Sequence, residues 1–191
     1  MKYVMINTAG KTTEILAVNG DKEEWFCDPD GLQASKALLP AIDKMLDNLD
    51  MKPSDCDFFA CVIGPGSFTG IRLGAVTVKT LCYALGKRAK AVVCNRMLAG
   101  NRGGKVLSVV YGWADMYYVA EYEDGKQIFA PAAMKKSEVD ALISEKADSL
   151  LVTDERSHLA FGGELANERE CMRLAAETGE YIDGDKLEPL Y

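Results

Sequence analysis

The chain has 191 residues, 48% of them hydrophobic, enough for one sizeable domain or two small lobes with packed cores. Twenty-nine acidic against 22 basic residues give a net charge of −7, so composition offers no basic footprint for autonomous nucleic-acid binding. No apolar run approaches the ~18 residues of a membrane span, and Met1-Lys2-Tyr3-Val4-Met5-Ile6-Asn7 lacks the charged, apolar and cleavage regions of a signal peptide; the expectation is a cytoplasmic protein.

Residues 2–8, 12–19 and 22–27 alternate β-branched and aromatic residues, with Ala9-Gly10-Lys11 and Gly20-Asp21 as turns, and predict an antiparallel meander. Gly10-Lys11-Thr12 is read as a hairpin turn, because Met5 stands where a phosphate loop demands glycine. From Leu32 to Leu49, apolar residues recur at three- and four-residue steps and predict an amphipathic helix. Pro40 costs it one backbone hydrogen bond, so either a kink or a start near Leu39 is expected.

Asp57 to Ile63 reads as a central strand. It runs into Gly64-Pro65-Gly66-Ser67-Phe68-Thr69-Gly70-Ile71-Arg72-Leu73-Gly74, a stretch that must bend sharply or approach another backbone closely. Residues 71–86 then predict a helix that is apolar nearly all round, with Arg72 and Lys79 on one narrow polar stripe. Such a helix needs cover on two sides, and the second cover is either the C-terminal half of the chain or another protein.

Asn95 to Gly104 marks the expected lobe boundary, dividing residues 1–100 from residues 101–191. Residues 105–111, 116–122 and 126–130 predict a second antiparallel group, with Asp124-Gly125 as a hairpin signal. A helix from Ser137 to about Lys146, a strand from Ser149 to Thr153 and a helix over 164–178 closed by Gly179 complete the reading. The last helix has the option of packing back on the first lobe. Two units of similar order suggest a duplicated α/β architecture.

The chemistry is sparse. The glycine loop misses the dinucleotide spacing by one residue and has no following lysine, which favours a close-packed helix entrance over phosphate binding. Ser67 and Thr69 are candidate helix caps. His158 is the single histidine and has no G-x-S-x-G partner. Six scattered cysteines lack C-x-x-C spacing and are read as buried free thiols. The carboxylate pairs Glu23-Glu24, Glu121-Glu123 and Asp183-Asp185 are read as solvated surface. No catalytic residue, metal ligand or cofactor-binding residue is assigned.

The stretch Gly64, Pro65, Gly66, Ser67, Phe68, Thr69, Gly70, Ile71, Arg72, Leu73, Gly74 resembles the signature of the bacterial TsaB (YeaZ) family. The resemblance extends to Ile6-Asn7-Thr8-Ala9, to Leu38-Leu39-Pro40, to the strand pair from Val106 to Tyr122 and to the final Glu188-Pro189-Leu190-Tyr191. It implies an α/β fold of two ribonuclease-H-like lobes, of the actin-like and sugar-kinase-like ATPase type. It also implies a non-catalytic subunit for making threonylcarbamoyladenosine in tRNA, paired with the catalytic paralogue TsaD and the ATPase TsaE, or with itself as a homodimer, and meeting tRNA only through the complex.

The same resemblance assigns the helices flanking the loop to a partner interface, with Leu38, Ile42, Met45 and Leu46 from the first and Ile71, Ala75, Val78 and Cys82 from the second as expected contacts. Departures are Asn7 in place of the family's acid, Ala34 where a histidine is common, and Tyr111-Gly112-Trp113 where Asp-Ala-Arg is usual. Relatives continue with a basic tail where this sequence stops, which points to a divergent or truncated member. Two other classes stay open: a peptidase-like hydrolase and a weak nucleotide-binding ATPase.

Overall fold

A computed structural model of the chain describes residues 1–28 and 34–190. The Leu32 and Tyr191 readings, and the Ala34 side chain, lie outside what is described. Two compact units form, residues 1–92 with 176–191, and residues 93–175.

In the first unit, β1 (Lys2–Asn7), β2 (Thr13–Asn19) and β3 (Lys22–Asp28) make the expected meander. Tyr3 lies opposite Val18 and Ile6 opposite Ile15, a register that puts apolar residues on both faces of β1 and β2. Helix α1 (Ala34–Asn48) leads to β4 (Phe58–Gly64), which pairs parallel to β1 with Met5 opposite Ala60. Helix α2 (Phe68–Leu85) follows, capped by the Ser67 side chain on the amide of Gly70 and closed by Gly86 in the left-handed region. Strand β5 (Arg88–Val93) completes the sheet order β3-β2-β1-β4-β5.

Helix α1 begins six residues before Pro40, so the alternative start near Leu39 is overturned. Pro40 faces outward, where water can serve the carbonyl that its missing N–H leaves without a donor. The inner faces of α1 and α2 share one core with Val4, Ile6, Ile15, Ala17, Phe59 and Cys61 of the sheet. Fully burying one such side chain contributes about 1.5–3 kcal/mol.

The second unit repeats the plan. It opens with a short helix, α3 (Cys94–Ala99), and then β6 (Lys105–Tyr111), β7 (Met116–Glu123) and β8 (Lys126–Lys135) run antiparallel. Helix α4 (Lys136–Glu145) precedes β9 (Leu150–Thr153), which lies parallel to β6. Helix α5 (Glu155–Phe161), the two-residue β10 (Glu164–Leu165) and helix α6 (Glu168–Thr178) follow, and the sheet order is β10-β9-β6-β7-β8. The edge strand β8 carries Pro131, two register irregularities against β7 and a lysine at each end, devices that guard a sheet edge against strand addition.

The C-terminal residues belong to the first unit. Ile182 and Ala89 exchange backbone hydrogen bonds at 2.8 and 2.9 Å along the edge of β5. Leu187 is fully buried in the α1–α2 core. Leu190 then donates its amide to the Ile63 carbonyl at 2.7 Å, reaching the end of β4.

Candidate functional site

The glycine stretch is held against the turn between β1 and β2. A methyl group on Gly70 would lie 1.8 Å from the Thr8 carbonyl oxygen, one on Gly66 2.4 Å from the Ala9 oxygen, and one on Gly74 2.7 Å from the Thr8 hydroxyl. Gly64, at φ 122°, is closed on its other side by the Leu190 carbonyl, 2.2 Å from where its methyl would be. The Ser67 amide donates to Ala9 O at 2.7 Å, and the Thr8 hydroxyl donates to Gly70 O at 2.7 Å. These glycines therefore let backbone meet backbone, and the Ser67 amide that a phosphate would need is already spent on the chain itself. The Ser67 hydroxyl accepts from the Gly70 amide at 3.3 Å as the helix cap, a structural task.

Beside the loop, Glu14 is only 4% exposed. Its carboxylate accepts from the Asn7 side-chain amide at 2.9 Å and from the Thr12 hydroxyl at 3.3 Å, while Asn7 Oδ1 accepts the Ala9 amide at 3.1 Å. Asn7 thus ties together the turn on which the glycine loop rests. A second buried charge, Lys90, is 2% exposed. Its ammonium donates to Ala176 O at 2.7 Å and lies 4.2 and 4.5 Å from the Phe58 and Tyr181 ring centres, holding the end of α6 and the C-terminal segment against the sheet.

The eight expected interface residues lie inside the first unit. Leu38, Ile42, Met45, Leu46, Ile71, Ala75, Val78 and Cys82 are all buried in the core of the first unit. The open face of α2 is the opposite one, where Tyr83 is 93%, Val76 61% and Phe68 54% exposed; on α1 it includes Leu39 at 57%. Arg72 lies 3.8 Å over the Phe68 ring. The sequence signal for this face was the all-round apolar character of α2, which asks for cover on two sides without saying which residues face outward.

At the C-terminal half of α2 an open groove of about 700 Å³ is lined by Lys79, Cys82, Tyr83, Gly86 and Lys87, with Gly184 and Asp185 from the C-terminal segment as its far wall. That wall fits closely, since a methyl on Gly184 would sit 2.7 Å from Cys82 Cβ.

The remaining chemistry is quiet. Burial pushes the Cys56, Cys61 and Cys82 thiols up to about 11, 12 and 11, leaving no thiolate at neutral pH. Cys27 is exposed, against the expectation of six buried thiols. Glu121, read as solvated surface, is buried, with Lys146 Nζ 3.0 Å from its carboxylate. His158 Nδ1 lies 3.4 Å from the Thr153 hydroxyl. Among the described residues, no three metal-ligating side chains come together, and no helix is long and apolar enough to cross a membrane.

Comparison with known proteins bears on this arrangement. A family model described as "TsaD: tRNA N6-adenosine threonylcarbamoyltransferase" matches residues 32–169. The tRNA threonylcarbamoyladenosine biosynthesis protein TsaB of Bacillus subtilis (strain 168) is 38% identical over 67 residues, a match spanning 35% of this chain and 29% of that protein's length. The solved structure of YeaZ from Pseudomonas aeruginosa superposes with a TM-score of 0.76 at 19% identity, covering 100% of this chain and 99% of that one. An inorganic polyphosphate/ATP-glucomannokinase from Arthrobacter sp. strain KM gives a TM-score of 0.50 at 10% identity, over 92% of this chain and 97% of the kinase. Both likenesses show the fold alone, and the second shows that a sugar kinase shares it. With a family match over most of its length and a TsaB relative beside it, the chain belongs to the TsaB/YeaZ members of the TsaD-type family.

Proposed function

We propose that this chain is a non-catalytic scaffold subunit in tRNA N6-threonylcarbamoyladenosine synthesis, binding a TsaD-like catalytic paralogue through the open faces of α1 and α2. The observation that carries it is the exposed stripe Phe68, Val76 and Tyr83 on a helix whose inner face is already fully used. Large exposed apolar side chains in register on one helix support a protein interface. A TsaE-like ATPase joins the same assembly, tRNA is met only through it, and the complex works in the cytoplasm. In the absence of TsaD a second copy of the chain is the competing occupant of this face.

Co-purification with the TsaD-like protein of the same organism tests the reading. Val76→Glu and Tyr83→Ala, both on the open face, are expected to abolish or strongly weaken complex formation while leaving thermal unfolding unchanged. Undiminished co-purification of both variants would sink it.

A further inference from the structure

Three of the sheet edges are poor templates for a further strand. Ile182 pairs with Ala89 along β5, β10 spans only Glu164 and Leu165, and β8 carries Pro131 and its register irregularities. The remaining edge is β3, whose only strand neighbour among the described residues is β2. It keeps unbroken register with β2 from Lys22, opposite Asn19, to Asp28, opposite Thr13, with no proline and no bulge. Its hydrogen-bonding phase follows from its neighbours. Gly20 N donates to Met1 O at 3.0 Å, so along β2 the even-numbered residues turn their backbone groups to β1 and the odd-numbered ones to β3. Lys22, Glu24, Phe26 and Asp28 stand opposite odd-numbered residues and bond to β2. The N–H and C=O groups of residues 23, 25 and 27 therefore point along the outer edge.

We propose that this edge takes β3 of a second copy of the chain, antiparallel across a two-fold axis that passes through Trp25. An antiparallel pair joins residues of the same phase, so the axis runs through a residue and not between two. Centred on Trp25, Lys22 faces Asp28 at both ends, Glu23 faces Cys27, Glu24 faces Phe26 and the two Trp25 side chains meet. Residues 23, 25 and 27 then exchange about six backbone hydrogen bonds with their mates. Centring on Glu23 or Glu24 sets that glutamate against itself, and centring on Phe26 sets Glu24 against Asp28. An axis nearer either end leaves most of the strand unpaired. The charges on β3 thus select its own copy in one register. Helix α2 packs over β4 and β1, so its open face takes no part in this contact.

The test is sedimentation equilibrium of the full chain over a range of concentrations at low salt, where a dimer is expected. Lys22→Asp and Asp28→Lys each set like charges opposite one another and are expected to weaken the dimer about tenfold. An equimolar mixture of the two variants, or the double variant, restores opposite charges at both ends and should dimerise like the wild type. Trp25→Pro removes an outward N–H while sparing the ladder to β2, and is expected to abolish the dimer. In hydrogen exchange of the wild type, the Trp25 amide should lose protection on dilution. A chain that is monomeric at every concentration, or a Trp25 amide protected whatever the concentration, overturns the proposal. So does a dimer indifferent to both charge reversals in variants that unfold like the wild type. A dimer dispersed by Val76→Glu instead would put the second copy on α2 and overturn the pairing at β3.

Discussion

Gly70→Ala separates a packing requirement from a helix preference, because the two have opposite signs. Gly70 sits in the first turn of α2, where alanine is favoured over glycine by about 1 kcal/mol on propensity alone. Its added methyl would lie 1.8 Å from Thr8 O, so helix and turn must part by more than about 1 Å. That movement strains two hydrogen bonds, Thr8 Oγ1 to Gly70 O and Ser67 N to Ala9 O, both at 2.7 Å. Losing them costs about 1 kcal/mol each, and overpacking adds about 1–3 kcal/mol. Set against the propensity gain, the net loss is about 2–4 kcal/mol, or roughly 5–15 °C in Tm for a chain of this size. Urea and thermal unfolding read it directly. Gly86→Ala is the control: φ is 64° but nothing lies within 4 Å of the new methyl, so it pays only the left-handed backbone cost of about 1–2 kcal/mol. A Gly70→Ala protein as stable as the wild type, or more stable than Gly86→Ala, would refute the account of the signature as close packing.

Burial lowers the Lys90 pKa from its ordinary 10.5, so the unfolded chain holds that proton more tightly than the folded one. Stability should therefore rise with pH between the lowered value and 10.5, and that rise is expected to be missing in Lys90→Met when the two unfolding profiles are subtracted. Thiol titration of the native chain should show rapid reaction at Cys27 and slow reaction at the buried cysteines; fast labelling of Cys56, Cys61 or Cys82 would contradict the burial argument. Gly184→Val should lift the C-terminal segment from Cys82, which hydrogen exchange would report as faster exchange at the Ile182 and Ala89 amides with β1 and β2 still protected.

The meander, α1, the β4–α2 corner and the three antiparallel strands of the second unit were legible because each is written in a local period or turn. Strand β5 was not, since Lys90 at its centre reads as surface. Its partners are Ala176 and Tyr181, far along the chain, and no local pattern announces them. Helices α3 and α5 are too short to develop a period, although the Asp154 cap on the Ser157 amide at 2.8 Å was a readable start signal for α5. The inner and outer faces of α2 were hidden for a different reason. Val78 and Val76 are chemically identical and two positions apart, and only the place of the sheet decides that one is core and the other surface. The fold class and family were readable from one motif, whereas the faces of its helix needed the three-dimensional packing.

The return of residues 176–191 to the first unit sets an order on synthesis. Residues 93–175 are contiguous and can close as soon as they have left the ribosome. The first unit begins earlier but waits longer, because Leu187, the Ile182 pairing and the Leu190 contact on Gly64 arrive only after the second unit has been made. During translation the unit that carries α2 is thus the later to mature, and its apolar stripe is displayed on a finished scaffold only once residues 182–190 have followed the second unit.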